Sequence, residues 1–281
     1  MSQARQILRT SLSIGVGVAM YLCLRLRLGW PVYVGIVAAA FFLIVPTSLK
    51  LSIAYSAQPS VSPLDPEKLP PVVQAFFEKT APGLIEDGFE WIGDAANVLV
   101  SGHISETSHY RVLHRAGTDL ALVASQMAKA GTRTLAVQSV AFVTAFASGQ
   151  RVITGNSKLK PTLASRAFDD EIRVPEIQDA QWLYRLHYKR CETLDATEAR
   201  SPIPEPPAEA LFRTIWLEQM DRSVRAGIYF LHPASQTYRL TWKGAFLTAW
   251  SHLWPISAIL RSRQRSRNAR LIREIGLASS S

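Results

Sequence analysis

Three histidines, His103, His109 and His114, fall close together with Glu106 among them, and imidazole and carboxylate are side chains that zinc accepts as ligands. Their spacing matches no close-set structural zinc pattern. The segment also reads as strand and loop, not as a helix that would stack two ligands at i and i+4. Surface or strand histidines are therefore the expectation, with no metal and no cofactor. His187 and Cys191 stand four apart in a stretch of helical pattern, so they share a face and could pair as imidazole and thiolate. No third residue nearby in sequence orients them, and no oxyanion site accompanies them, so no catalytic residue is assigned. Asp169, Asp170 and Glu171 form a carboxylate run behind a loop containing Pro161; paired carboxylates can move protons, but an exposed charge run is the ordinary reading. There is no G-x-S-x-G, phosphate-binding loop, H-E-x-x-H or dinucleotide fingerprint. One constellation stays open: Asp94, Thr154, Asn156 and His187 are polar residues that could converge on a pocket although far apart in the chain.

The elements that would position these residues fall into two textures. From Gly88 to Asn156 the chain is β-like, with candidate strands at 97–101, 110–114, 120–126, 137–146 and 151–154, rich in Val, Leu and aromatics and punctuated by Gly or polar residues. Val140, Phe142, Thr144 and Phe146 alternate with Ala141, Val143 and Ala145, so both faces are apolar to some degree and the strand belongs in the middle of a sheet. Helical patterns follow at 178–198, with Trp182, Leu183, Leu186 and Leu194 as core candidates, and at 208–225, with Leu211, Ile215, Leu217 and Met220. The prolines at 202, 204, 206 and 207 separate them. A short helix at 72–79 precedes the strands. Strands first and helices after is an α+β arrangement with an antiparallel sheet, expected over residues 72–240.

Ahead of this domain stands an uncharged run of 22 residues, 28–49. At about 1.5 Å of rise per residue it is long enough for a hydrocarbon core of roughly 30 Å, with Trp30 and Tyr33 suited to one interface and Lys50 at the other end. A second uncharged run, 10–24, is shorter; Arg9 and Arg25 at its ends could snorkel while it crosses at a tilt. It also has the shape of a secretory signal, but no small-residue cleavage site follows it. The expectation is a transmembrane helical hairpin, helices about 8–26 and 29–49, within an anchor at 1–56. The five prolines between 57 and 71 would then form an extended linker.

The net charge of +9 sits at the ends. Residues 1–50 carry five basic and no acidic groups, residues 261–281 six Arg and one Glu, and the middle is close to neutral. Anionic lipid headgroups are the expected partner, a protein partner is possible, and no nucleic acid is expected. With both N-terminal segments crossing, Arg5, Arg9, Lys50 and the Arg-rich tail outnumber Arg25 and Arg27, which places the domain in the cytoplasm. If the first segment does not cross, the domain could lie outside. A further uncharged run at 244–260 puts Trp242, Phe246, Ala249, Trp250, Leu253, Ile256 and Leu260 on one face, the pattern of an amphipathic helix lying in the interface. The expected membrane-surface residues over 241–281 are Trp242, Trp250, Trp254, Arg261, Arg263, Arg265, Arg267 and Arg270. Packing of the Trp stripe on the domain or the anchor is the alternative. The two cysteines are too few and too differently placed for a disulfide framework.

Several short signatures occur in order: Gly88-Phe89 and Gly93-Asp94; Phe146, Gly149, Thr154 and Asn156; Arg173 with Pro175; Leu183-Tyr184 with His187; and residues 238–245 running into Trp254-Pro255 and the Arg tail. Over residues 88–275 the chain thereby resembles an uncharacterised group of bacterial membrane-associated proteins. The group has no established activity, so the resemblance implies a location, the bacterial inner membrane, and no site residue. The function expected is that of an integral membrane protein with a cytoplasmic α+β domain of interaction or scaffolding type; the alternative is a membrane-tethered enzyme using the polar pocket.

Overall fold

The β texture after residue 88 becomes a sheet of seven strands. In the computed structural model, which describes residues 30–101, 104–130, 133–158, 169–203, 207–252 and 256–274 with scattered positions between 10 and 25, the chain divides into two units. The larger comprises Pro59–Arg222 and Arg265–Ser281, the smaller Met1–Gln58 and Ser223–Gln264.

In the larger unit, β3 (Glu90–Ser101), β4 (Ile104–Arg115), β5 (Asp119–Ala130), β6 (Arg133–Ala145) and β7 (Arg151–Gly155) run as an antiparallel meander. One edge is β2 (Val61–Pro63), paired antiparallel with β3; the other is β8 (Asp169–Arg173), paired parallel with β7. Val61 and Leu69 are buried, so the proline-rich stretch, read from its composition as a spacer, also contributes an edge strand. Pro63 is tolerated there because an edge strand has no partner waiting for every N–H.

Both faces of the sheet are covered, as the mixed alternation in β6 implies. On one face α2 (Pro71–Glu86) and α3 (Ala180–Asp195) bury Val73, Phe77, Leu84, Leu183 and Tyr184 with Phe89, Leu113, Ala121, Val123, Val140 and Phe142. On the other, Ala208, Leu211 and Phe212 of α4 (Ala208–Arg225) pack with Val61, Ala95, Val112 and Leu120. The fold of this unit is α+β.

α2 runs through Pro82 and stops at a Schellman ending. Gly88 takes φ +86°, its N–H donates to the Ile85 carbonyl at 2.9 Å, and the Phe89 N–H donates to the Leu84 carbonyl at 3.0 Å while both side chains are buried. This closure is what Gly88-Phe89 encodes, and it aims the chain into β3. Gly93-Asp94 marks a bulge between β3 and β4 at Trp91/Gly93, where a Cβ on residue 93 would meet that of Ala208 at 3.3 Å.

In the smaller unit α1 (Trp30–Ser52) leads into β1 (Ala54–Ser56), which pairs with the hairpin of β9 (Tyr229–His232) and β10 (Thr237–Leu240). α5 (Trp242–His252) follows β10 directly and packs on α1: the Phe42 and Trp250 rings lie 5.5 Å apart, and the Lys50 ammonium sits 5.1 Å over Trp242. The two helices therefore run antiparallel. α6 (Ile256–Glu274) starts just after Pro255, so the run at 244–260 is carried by two helices. Among the described residues no helix is long and apolar enough to cross a membrane; most of 10–29 and the side chains at 30, 33–34 and 36–41 lie outside them, and with them the first helix of the expected hairpin.

Candidate functional site

A group of deeply buried polar residues meets where α3 lies over β5, β6 and β7. The Thr144 hydroxyl interrupts the inward row Val140, Phe142, Phe146 and is fully buried. It donates to Asp119 Oδ1 at 2.7 Å, because a carboxylate can only accept. Its lone pair must then accept from His187 Nε2, 2.9 Å away, which fixes the His187 proton on Nε2. Nδ1 is left as an acceptor and takes the Thr154 hydroxyl proton at 3.0 Å; Thr154 Oγ1 in turn accepts from Arg190 Nη1. The result is one directed chain from a guanidinium, through Thr154, His187 and Thr144, to a carboxylate, each link polarising the next in the same sense.

Both ends are held. Arg190 also donates to the carbonyls of Ile153 at 2.8 Å and Asp170 at 2.6 Å and pairs with the Asp170 carboxylate at 2.8 Å. Asp119 receives Arg200 Nη1 at 2.8 and 3.0 Å and the Tyr184 hydroxyl at 2.8 Å, and the remaining edge of Arg200 grips Asp195 at 2.6 and 2.8 Å. Arg115 donates to the Tyr184 oxygen at 2.7 Å and lies over that ring. Every buried charge in the cluster has an opposite charge, the condition under which such groups tolerate burial.

The same surroundings set the proton affinities. Burial holds His187 well below its ordinary 6.5, and the nearby Arg190 and Arg200 push the same way. Burial pushes the Cys191 thiol up to about 11. The Tyr184 phenol is raised by burial and by Asp119. Cys191 Sγ does approach His187 Nε2, at 3.7 Å, but that nitrogen carries its proton toward Thr144, and a thiol so raised is not a thiolate at neutral pH. The pair is neutral packing.

Of the pocket residues read from the sequence, the structure brings His187 and Thr154 into direct contact inside this chain. Asn156, two residues further along, instead extends the sheet: its Oδ1 accepts the Val140 N–H at 2.7 Å and its own N–H donates to the Val140 carbonyl at 3.0 Å. Asp94 belongs to a separate cluster, bound by Arg111 at 2.9 and 2.7 Å and by the Trp91 indole at 3.2 Å, with Arg111 stacked over Phe77 and Trp91. His103 lies outside the described residues, as does the Glu106 side chain. His109 and His114 take opposite faces of β4 by strand alternation, and His114 pairs with Glu90 at 3.3 Å. Among the described residues no group of three or more His, Cys, Asp or Glu could hold a metal ion. Asp170 and Glu171 are paired to Arg190 and Arg173.

The expected membrane-surface residues divide. Trp242 and Trp250 are 51% and 43% exposed, while the small Ala245 and Ala249 face inward at 0% and 3%. Ala249 is thus on the buried face, not with the Trp stripe, because only small residues let α5 approach its neighbours closely. Arg263 and Arg265 are exposed; Arg267 reaches Asp170 at 3.1 Å, Asn268 donates to the Arg173 carbonyl at 2.6 Å, and Leu271 and Ile272 pack with Ile172, Val174 and Leu186. The second half of α6 therefore covers β8, an edge that would otherwise be open to pairing. Trp254 and the Arg261 side chain lie outside the described residues, and Arg270 makes contacts of its own.

A sequence reading passes over Asp119, Arg190 and Arg200. The one usable signal is Thr144, a hydroxyl in an otherwise apolar inward row. No family of known proteins, no curated protein and no solved structure matches this chain.

Proposed function

We propose that this chain is a membrane-anchored protein whose α+β domain is a binding module held at the cytoplasmic face of a bacterial inner membrane, with an N-terminal helical hairpin as anchor. The observation that carries the reading is the exposed aromatic row of the smaller unit, which stands outside a buried core of Val45, Leu49, Ile228 and Leu240. Ala245, Ala249 and Gly244 line the inside of α5, while Trp242, Phe246, Leu247 and Trp250, with Phe42, Leu43, Ile44 and Leu51 of α1, are exposed. Clustered exposed apolar side chains mark a surface that meets protein or membrane. Small residues at helix contacts and large apolar ones outside is the arrangement that lipid rewards. The uncharged run 28–49 occupies most of α1, and the basic excess at both ends suits anionic headgroups.

A binding role is favoured over catalysis by the state of the buried cluster. His187 is fully buried and both its nitrogens are engaged, so no reacting atom reaches it without opening the core.

The test is to fractionate cells expressing the full chain and wash the membranes with carbonate, then label Ser266→Cys with a membrane-impermeant maleimide. The chain should remain in the washed pellet and label only after lysis. Release by carbonate would overturn the anchor, and labelling of intact spheroplasts would overturn the cytoplasmic placement.

A further inference from the structure

We propose that two copies of this chain pair through the free edge of β9, antiparallel about a two-fold axis at Phe230, so that their three-stranded sheets join into one. This deepens the binding-module reading by naming a partner, and it rests on that reading only for the confinement of both copies to a membrane.

The strand order β1-β10-β9 leaves β9 at an edge, with no strand on its outer side among the described residues. The hydrogen-bond pattern says which groups stand there. The Thr241 N–H donates to the Ile228 carbonyl at 3.0 Å, so these two residues form a hydrogen-bonded pair. In an antiparallel ladder such pairs alternate, so the next are Phe230 with Arg239 and His232 with Thr237. Tyr229 and Leu231 consequently turn their N–H and C=O outward. Native edges are commonly blunted by lysine, proline or a bulge within the strand. Tyr229–His232 has none of these, its register with β10 is unbroken, and Phe230 and Leu231 are 37% and 42% exposed.

The register of self-pairing follows from the same alternation. Outward groups must meet outward groups, which places the axis at 229, 230 or 231. At 231, Tyr229 would face Pro233, which has no N–H to give. At 229, Leu231 would face Gly227, whose N–H is spent on the Val224 carbonyl at 2.9 Å. At 230, Tyr229 exchanges both of its bonds with Leu231 of the second copy, and every outward N–H finds a carbonyl. The two Phe230 residues then stand opposite one another as a close pair, with Cα atoms about 4.5 Å apart, while Leu231 of each copy lies beside Tyr229 of the other. The strand carries no Lys, Arg, Asp or Glu to oppose meeting itself. A ladder this short buries less than the roughly 1,200 Å² of a stable complex in solution. Tethering both copies in one bilayer raises their effective concentration, which lets a small interface suffice.

The test places charges at the axis. Full-length copies carrying different tags are co-expressed, extracted in mild detergent from carbonate-washed membranes and captured by one tag. The parent should bring down its differently tagged copy. Phe230→Lys with itself and Phe230→Glu with itself should each lose that capture, because like charges stand directly opposite, and Phe230→Lys with Phe230→Glu should restore it. In a Cys23→Ser background, Phe230→Cys should oxidise in membranes to a dimer that reductant reverses, since the expected Cα separation is within disulfide reach. Arg239→Cys, on the same face but one strand further from the axis, should not. Absence of the Phe230→Cys dimer overturns the proposal, as does equal cross-linking from Arg239→Cys, or failure of opposite charges to restore capture when both variants keep the parent's thermal transition. Capture is also scored on chain released by carbonate, so that release overturns the anchor while the pairing is still read.

Discussion

His187 shows what a single buried side chain does when its protons are dictated by its neighbours. Because Thr144 must donate to Asp119, and Thr154 is free to donate only toward Nδ1, the imidazole is neutral with its proton on Nε2. Its folded proton affinity is therefore depressed, first by burial and then by Arg190 and Arg200. The consequence for stability has a definite sign. Above the ordinary value of 6.5 neither state binds the proton and the histidine contributes no pH dependence. Below it the unfolded chain takes up a proton that the folded chain refuses, so stability falls as the pH falls, with a slope approaching about 1.4 kcal/mol per pH unit until the folded value is reached. His187→Gln, which retains an amide donor and acceptor, should flatten that slope between pH 6.5 and the acid limb set by the carboxylates. Urea titrations of both proteins at a series of pH values measure it; parallel slopes would mean that the imidazole is charged in the folded state.

Among the elements, the junction from β10 to α5 is the most tightly specified. Thr241 caps the helix: its hydroxyl accepts the Gly244 N–H at 3.0 Å and donates to the Gly227 carbonyl at 2.6 Å, while Lys243 reaches the Ala226 carbonyl at 2.8 Å. Gly244 is required because a Cβ there would stand 2.1 Å from the Ile228 carbonyl oxygen, a backbone atom that cannot swing aside. Gly244→Ala should therefore destabilise the smaller unit by several kcal/mol, beyond the about 1–3 kcal/mol typical of overpacking, whereas Thr241→Ala should cost about 1 kcal/mol for the lost cap. Thermal unfolding in detergent, followed by proteolysis at the hairpin, ranks them; equal transitions would show that the strand and helix can separate freely. These residues were conspicuous in the sequence as a string at 238–245, and their geometric role came only with the fold. The same holds elsewhere. The helix at 208–225 and the central strands were legible because hydrophobic periodicity reports burial directly. β8 was not, since Asp169–Arg173 is a short, charged edge whose pairing depends on α3 and α6 supplying Arg190 and Arg267. His187 and Thr154 were legible as polar residues in apolar settings, but their partners Asp119, Arg190 and Arg200 look like ordinary surface charges until the sheet gathers them.

At the scale of the whole molecule the question is what medium the exposed aromatic row meets. The larger unit packs apolar cores on both faces of its sheet, and exposes apolar residues such as Val72, Ile85 and Trp91 at separate places. The smaller unit leaves Trp242, Phe246 and Trp250 outside while burying alanines, and in water such a surface would drive association between copies. Lipid removes that penalty, with indole rings settling at the headgroup level. Full-length protein reconstituted in vesicles containing brominated acyl chains should then show strong quenching of tryptophan fluorescence. Trp242→Phe combined with Trp250→Phe should remove a large part of it, because both indoles stand exposed in that row. Raising the salt should leave this quenching in place, since the contact is apolar, while weakening any added attraction of Arg263 and Arg265 to anionic lipid over a Debye length of about 8–10 Å. Quenching that the double variant leaves unchanged would place the aromatic row against protein, and that row would then be an interface between copies.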